Sequence, residues 1–254
     1  GTARIAFLLI LLLSLGQNER KRNQTLGFPE NGQRESCGLK PREHGQHFPL
    51  IIADPGVKLI VSGQRKNIMS LQTDNVKFTY EDYLLFPEDG RRHELIDGEH
   101  FMTPSPSTRH QRILHNLDYF LGAHLRGAKA GQLFPAPMDV VLSDLDVVQP
   151  DLLFISSAKT AIVTEKNIQG PPDLVIEIIS QTSRKTDETV KRKLYERYGV
   201  REYWIVDPEL ETVDIHRLTD RRYVRALELS LEADQAIETP LLPGLKLKLS
   251  DIFS

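Results

Sequence analysis

An acid set into an apolar strand needs a reason, and Glu177 lies in the middle of "DLVIEIIS", residues 173–180. An ionised carboxylate without a partner in an apolar site is strongly unfavourable, so the sequence must supply a partner or a task. Side chains alternate along a strand, which puts Glu177 on one face with Val175 and Ile179 while Ile176 and Ile178 point the other way. Both faces are apolar, as in a covered central strand. The helical segment that follows offers a cation. Lys191, Leu194, Tyr195 and Tyr198 fall at i, i+3, i+4 and i+7, so Lys191 lies on the stripe that faces the sheet.

A second acid, Asp151, opens the apolar run of "VQPDLLFIS". Two carboxylates on adjacent strands repel unless a cation lies between them. Hard oxygen ligands without thiolates suit magnesium or manganese. Two acids and a lysine are a minimal set for metal-assisted phosphodiester hydrolysis: metal to activate water and neutralise charge, lysine to orient water or stabilise the transition state. The same spacing also suits a structural Glu177–Lys191 ion pair, and spacing alone does not separate the two.

The elements that must position these residues read as a mixed α/β chain. "TYEDYLLFP" predicts a short helix with Thr79 as N-cap and Asp82 three residues on. "HELIDGEHFMT" predicts a strand turning at Asp97-Gly98. Ile113, Leu114, Leu117, Phe120, Leu121 and Leu125 predict one long amphipathic helix stopping near Gly127. "FPAPMDVVLSD" and "VQPDLLFISS" predict two strands joined near Asp144, and "TDETVKRKLYERYG" a helix capped by Thr186 and closed by Gly199. "EYWIVDPE" reads as a buried strand, with "TVDIHRL" and "YVRALEL" as outer strands of a meander. Strands flank both helices, so a central mixed sheet is the expected core. Tyr195 reads as core or as backing for Lys191, Tyr203 and Trp204 as core or interface, Gln149 as a strand-edge polar group or a hydrogen-bond partner near the site, and Asp173, which shares the Glu177 face by parity, as a turn-side acid.

The chain has 254 residues, 40% hydrophobic and 26% charged, with a formal net charge of -3. Cutting it at Met69 exposes an asymmetry. Residues 1–68 hold ten Lys/Arg against five Asp/Glu, or +5, and residues 69–254 hold 22 against 30, or -8. An acidic module lacks the basic footprint of a general nucleic-acid binder. "TSRKTDETVKRK", with Arg184, Lys185, Arg192 and Lys193, is a candidate local patch. One cysteine, Cys37, excludes an internal disulfide and a thiolate zinc site, which fits a reducing, cytoplasmic setting. No Gly-x-Ser-x-Gly elbow, Walker loop or dinucleotide fingerprint occurs. The histidines lack a His-x3-His pair, and surface or capping roles account for them.

Residues 1–68 read as an N-terminal extension, apolar and then low in order, before a domain over 69–254. "ARIAFLLILLLSLG", residues 3–16, is similar to the apolar core of a signal peptide and shorter than the about 20 residues of a membrane span. No methionine precedes Met69, which makes Met69 an alternative start.

The ordered series "HELIDGE", "QPDLLF", "GPPDLVIEIIS" and "TDETVKRKLYERYGVREYWIVDP" closely resembles the Uma-type (DUF820-like) endonuclease family, placed in the PD-(D/E)XK restriction-endonuclease-like superfamily. The resemblance covers residues 77–254, including the closing "LPGLKLKLSDIF". It implies an α/β, restriction-endonuclease-like core with a central mixed β-sheet flanked by helices. It also implies hydrolysis of DNA phosphodiester bonds with Mg2+ or Mn2+. Carried across residue by residue, it makes Asp151 and Glu177 the metal-binding acids, with the Ile178 carbonyl completing coordination. Glu94 becomes the additional acid, able to hold water or assist the metal. The usual lysine position, two after the glutamate, is Ile179 here. The family commonly shows a lysine displaced to the next helix, which matches Lys191 and makes it the catalytic lysine. A homodimer would suit cutting of both strands. A nuclease-fold module that binds or assembles without cutting is the alternative from another class, and the charge of -8 favours it.

Overall fold

Strands rich in Val, Ile and Leu on both faces need cover on both faces, and that requirement organises the molecule. The computed structural model describes residues 76–254 apart from Lys129. The expectations for residues 1–68 lie outside the described residues.

Helix α1 (Tyr80–Tyr83) opens on a capping box between Thr79 and Asp82, as the sequence predicts. Strands β1 (Arg92–Ile96) and β2 (Glu99–Thr103) form a hairpin. It turns at Asp97-Gly98, where φ is 52° and 74°; positive φ at both positions is the type I′ geometry that Asp-Gly favours. Helix α2 (Thr108–Ala128) is the long amphipathic helix, ending one residue beyond Gly127.

The stretch predicted as two strands forms four: β3 (Gly131–Pro135), β4 (Val140–Ser143), β5 (Asp146–Val148) and β6 (Leu152–Ser156). Pro137 and Pro150 fall in the breaks, where a residue without an N–H cannot continue a ladder. The turn at Asp144 joins only β4 to β5. After a 3-10 turn (Ser157–Ile162) come β7 (Ile168–Gln169) and β8 (Leu174–Ile178), the strand carrying Glu177.

The next helical segment starts at Arg184, so Thr186 lies inside it rather than capping it. Hydroxyls of Ser180 and Ser183 bond to backbone N–H groups in the preceding turn. A π-helical turn (Thr186–Lys191) leads into α3 (Arg192–Tyr198), which ends at Gly199 with φ 78°. Strands β9 (Glu202–Asp207), β10 (Thr212–Thr219) and β11 (Arg222–Ser230) form the meander. The chain closes with β12 (Ala236–Ile237), β13 (Leu247–Lys248) and α4 (Leu249–Phe253).

Two mixed sheets result, rather than one. The larger has the order β11-β10-β9-β8-β6-β3 and the smaller β2-β1-β5-β4-β7. Within the larger sheet β8 lies between β6, antiparallel, and β9, parallel. The parallel pair is linked by the helical crossover through α3. Leu174, Ile176 and Ile178 pack with Ile113, Leu117, Leu121 and Leu125 of α2. Val175 and Ile179, on the other face, pack with Leu194 and Tyr195 of α3 and with Val148 of the smaller sheet. Trp204, Tyr203 and Tyr195 are fully buried core, as predicted. Among the described residues no helix is long and apolar enough to cross a membrane.

At the outer edge of the larger sheet, a Cβ on Gly131 would stand 2.1 Å from the Ile155 carbonyl oxygen. Gly122, in α2, has nothing within 4 Å of the equivalent point. We therefore expect Gly131→Ala to destabilise by about 1–3 kcal/mol and Gly122→Ala to stabilise by about 0.5–1 kcal/mol. Thermal melts of the two variants should shift in opposite directions; equal shifts would contradict this packing.

Candidate active site

Each site residue owes its position to the period of its own element. On β1, Arg92 and Glu94 are two apart and share a face. Asp151 stands just before β6, Glu177 is on β8, and Asp187 and Lys191 are four apart on the π-helical turn. His110 lies one turn ahead of Ile113 and Leu114 on the buried stripe of α2. Together Arg92, Glu94, His110, Asp151, Glu177 and Lys191 line a cleft of about 410 Å³.

Lys191 is the centre of this group. Its Nζ stands 2.9 Å from Glu94 Oε2, 3.1 Å from Glu177 Oε1 and 3.5 Å from Asp187 Oδ1. All four residues are buried. Burial alone would push Lys191 down, but Glu177, Glu94 and Asp187 outweigh it and hold the ammonium well above its ordinary pKa. Lys191 therefore keeps its charge. Tyr195 donates its hydroxyl to Glu177 Oε1 at 2.9 Å, and the Gln149 N–H donates to Glu94 Oε1 at 2.8 Å. Burial raises Glu177; Lys191 opposes the rise, while Asp187, Asp151 and Glu94 add to it, leaving the carboxyl at about 8.

Asp151 has the opposite surroundings. Arg92 Nη1 meets its Oδ1 at 2.6 Å, while His110 Nε2 at 3.1 Å and the Ile178 N–H at 2.8 Å meet its Oδ2. Burial raises this carboxyl, but His110, Arg92 and the Ile178 N–H more than cancel it and bring the pKa to about 2. Two buried acids in one cleft are thus driven apart by their different neighbours.

The structure brings all four sequence-predicted residues, Glu94, Asp151, Glu177 and Lys191, into this one cleft. Ile179 is buried and packs with apolar neighbours while lining the cleft, so the usual lysine position supplies no cation here. Three further residues were missed: Asp187, Arg92 and His110. The signals existed, since Asp187 is four before Lys191, Arg92 two before Glu94, and His110 on the α2 stripe. The reading of the histidines as surface or capping residues fails at two positions. His110 is buried against Asp151, and His93 is buried between His100, at 2.9 Å, and Asp89, at 3.1 Å. Gln149 is also more than an edge residue, since its amide donates to Tyr83 and Asp139 as well. Asp173 ties the start of β8 to the Ser156 N–H and to Lys159. Of the expected basic patch, Arg184 is spent on Asp207 at 2.6 Å and Arg192 bonds the Glu188 carbonyl; Lys185 and Lys193 are exposed.

Among the described residues no three His, Cys, Asp or Glu side chains converge as a ready metal cluster. The Lys191 ammonium occupies the space between three of the carboxylates. The donor chemistry nevertheless fits a hard divalent cation. Four buried carboxylates, Glu94, Asp151, Glu177 and Asp187, face two cations, Lys191 and Arg92, so the cluster carries more negative than positive charge. Magnesium in particular needs only one or two carboxylates, the rest of its shell being water and substrate phosphate.

Two packed mixed sheets, a helical crossover and acids at the ends of the central strands define a restriction-endonuclease-like α/β protein. A solved structure described as a "putative nuclease belonging to DUF820", from Anabaena variabilis ATCC 29413, shares the fold with a TM-score of 0.59 at 21% identity, over 69% of this chain and 97% of that one. Residues 80–250 match the Uma2 family, described as "Putative restriction endonuclease", and the chain belongs to that family. No curated protein matches.

The Glu177 environment makes stability depend on pH. Its folded pKa, about 8, exceeds the ordinary 4.5. Between those values the unfolded chain has released a proton that the folded chain still holds, so stability falls as pH rises through the window and levels off above it. In EDTA, the melting temperature of Glu177→Gln minus that of the parent should increase from pH 5 to pH 8 and then flatten. A difference independent of pH would rule out this environment for Glu177.

Proposed function

We propose that residues 69–254 are a divalent-metal-dependent endonuclease domain that hydrolyses DNA phosphodiester bonds. The observation that carries this reading is the convergence of Glu94, Asp151, Glu177 and Lys191 in one buried cleft. Membership of the family supports the nuclease class.

Asp151 and Glu177 are the residues that would hold Mg2+ or Mn2+. The bound ion would neutralise phosphate charge and make a coordinated water more acidic. The remaining work falls to the chain's own groups. Arg92, His110 and the Ile178 N–H fix Asp151 as an ionised carboxylate. Tyr195 and Lys191 fix Oε1 of Glu177. Lys191 stays protonated, so its role is electrostatic: it attracts the scissile phosphate, orients the attacking water and stabilises negative charge in the transition state. Glu94, held by the Gln149 N–H, positions that ammonium. Burial strengthens every one of these interactions, because water is not there to screen them. The reading puts the enzyme in the cytoplasm, with its nucleic-acid substrate.

Arg92 on Asp151, and Lys191 among its three acids, also suit a nuclease-fold module that binds without cutting. Cleavage of plasmid and single-stranded DNA with Mg2+, Mn2+ or EDTA separates the two. We expect metal-dependent cutting that Glu177→Ala abolishes and Lys191→Met lowers by at least about 100-fold. Mg2+ should also raise the melting temperature of the parent, because it binds the folded state, and leave Glu177→Ala unmoved. Parent-like cutting by Glu177→Ala would refute the site, and a metal-stabilised parent that cuts neither DNA would favour the binding module.

A further inference from the structure

The two oxygens of Asp151 are not equivalent. Oδ2 accepts from His110 Nε2 at 3.1 Å and from the Ile178 N–H at 2.8 Å. Both donor residues are buried, and a carboxylate oxygen with two donors has no lone pair left to offer. Among the described residues Oδ1 accepts from Arg92 Nη1 alone, at 2.6 Å. A cation that binds Asp151 therefore does so at Oδ1, where a guanidinium already stands. Two positive charges on one buried oxygen repel, with little water to screen them.

Arg92 is also the partner of Asp151 with room to leave it. Its side chain is 20% exposed, against 9% for His110 and 6% for Lys191. It lines the catalytic cleft and also an adjoining cavity of about 330 Å³, which Thr103, Pro104, Pro106 and Gln111 help to wall. Glu177 and Lys191 do not reach that second cavity. Arg92 thus stands on the boundary between two open spaces, on a long side chain whose planar fork suits phosphate as well as carboxylate. Its other acceptor, the Gln149 carbonyl at 3.3 Å, is a weaker hold.

We propose that Arg92 is an exchangeable counter-ion, which holds Asp151 Oδ1 in the absence of metal, gives that oxygen up to a divalent cation, and turns to the nucleic-acid phosphate at the bond to be cut. The proposal rests on reading the cleft as a phosphodiester site. The exchange keeps charge matched: the arriving cation replaces the positive charge that Asp151 loses, and the released guanidinium meets the negative charge of the phosphate. Cation and nucleic acid therefore bind cooperatively, each favouring the arrangement that suits the other. Arg92 strengthens nucleic-acid binding only when the metal is present.

The test compares the full parent chain with Arg92→Met, which removes the charge, and Arg92→Lys, which keeps it; thermal melts confirm folding. Mg2+ affinity is measured by calorimetry without nucleic acid. Affinity for a phosphorothioate DNA oligonucleotide, which keeps its charge and resists hydrolysis, is measured in EDTA and in saturating Mg2+. We expect Arg92→Met to bind Mg2+ about tenfold more tightly than the parent, because no cation competes for Oδ1. Arg92→Lys should bind Mg2+ as the parent does. In EDTA the parent and Arg92→Met should bind the oligonucleotide alike, and in Mg2+ the parent should bind it about tenfold more tightly. In the parent itself, the Arg92 side-chain nitrogen resonance, assigned by its loss in Arg92→Lys, should shift as Mg2+ is added; this decides the question if Arg92→Met does not fold. Three results would each overturn the exchange: equal or weaker Mg2+ binding by folded Arg92→Met, an oligonucleotide difference that is the same with and without metal, or a resonance that Mg2+ leaves in place. Metal-dependent cutting by the parent would then leave the nuclease reading standing. No Mg2+ binding and no cutting by the parent would overturn both.

Discussion

The Lys191 ammonium lies among Glu94, Glu177 and Asp187 in the interior of the molecule, and the surrounding structure is arranged to make that tolerable. Removing such charges from water is costly unless attraction and hydrogen bonds replace the lost hydration. Here the replacements come from elements distant in sequence: β1 gives Glu94, β8 gives Glu177, and the π-helical turn gives both Lys191 and Asp187. Tyr195, one turn further along α3, adds a hydroxyl. A wider helical turn at this point is consistent with a working site, since such turns gather there in other proteins.

Asp151 shows the same principle with the sign reversed. It is as deeply buried as Glu177, yet Arg92, His110 and a backbone N–H make it a strong acid, whereas Glu177 shares a single ammonium with two other carboxylates. Neighbours rather than burial separate the two. A divalent cation entering the cleft would find one acid already ionised and a second whose proton its own charge would expel. Four buried carboxylates, Glu94, Asp151, Glu177 and Asp187, meet in this cleft with the Lys191 and Arg92 cations.

Periodicity made much of this architecture legible. The i, i+4 stripe placed Lys191 inward, strand alternation placed Glu177 on the α3 face, and Asp-Gly at 97–98 marked its hairpin. The same arithmetic applied to Asp187, Arg92 and His110 would have put them on buried faces too. They were missed because charged and imidazole side chains are usually on the surface, and the pattern says which way a residue points without saying what it meets. The four strands between Gly131 and Ser156 were read as two, since short strands broken by prolines leave too few residues for a period to register.

The sequence by itself determined the long helix, the Glu177 strand and the meander with their main buried faces, and the family motif that sets Asp151, Glu177 and Lys191 in order along the chain. Only the tertiary structure decided that Lys191 answers to three acids, that Asp151 is held by Arg92 and His110, and that strands split between two sheets place a second cavity beside the first. Local spacing acts over one or two turns, whereas these encounters join residues as much as 97 positions apart, such as Glu94 and Lys191. Their electrostatic outcome depends on distances of about 3 Å, which only the packed fold fixes.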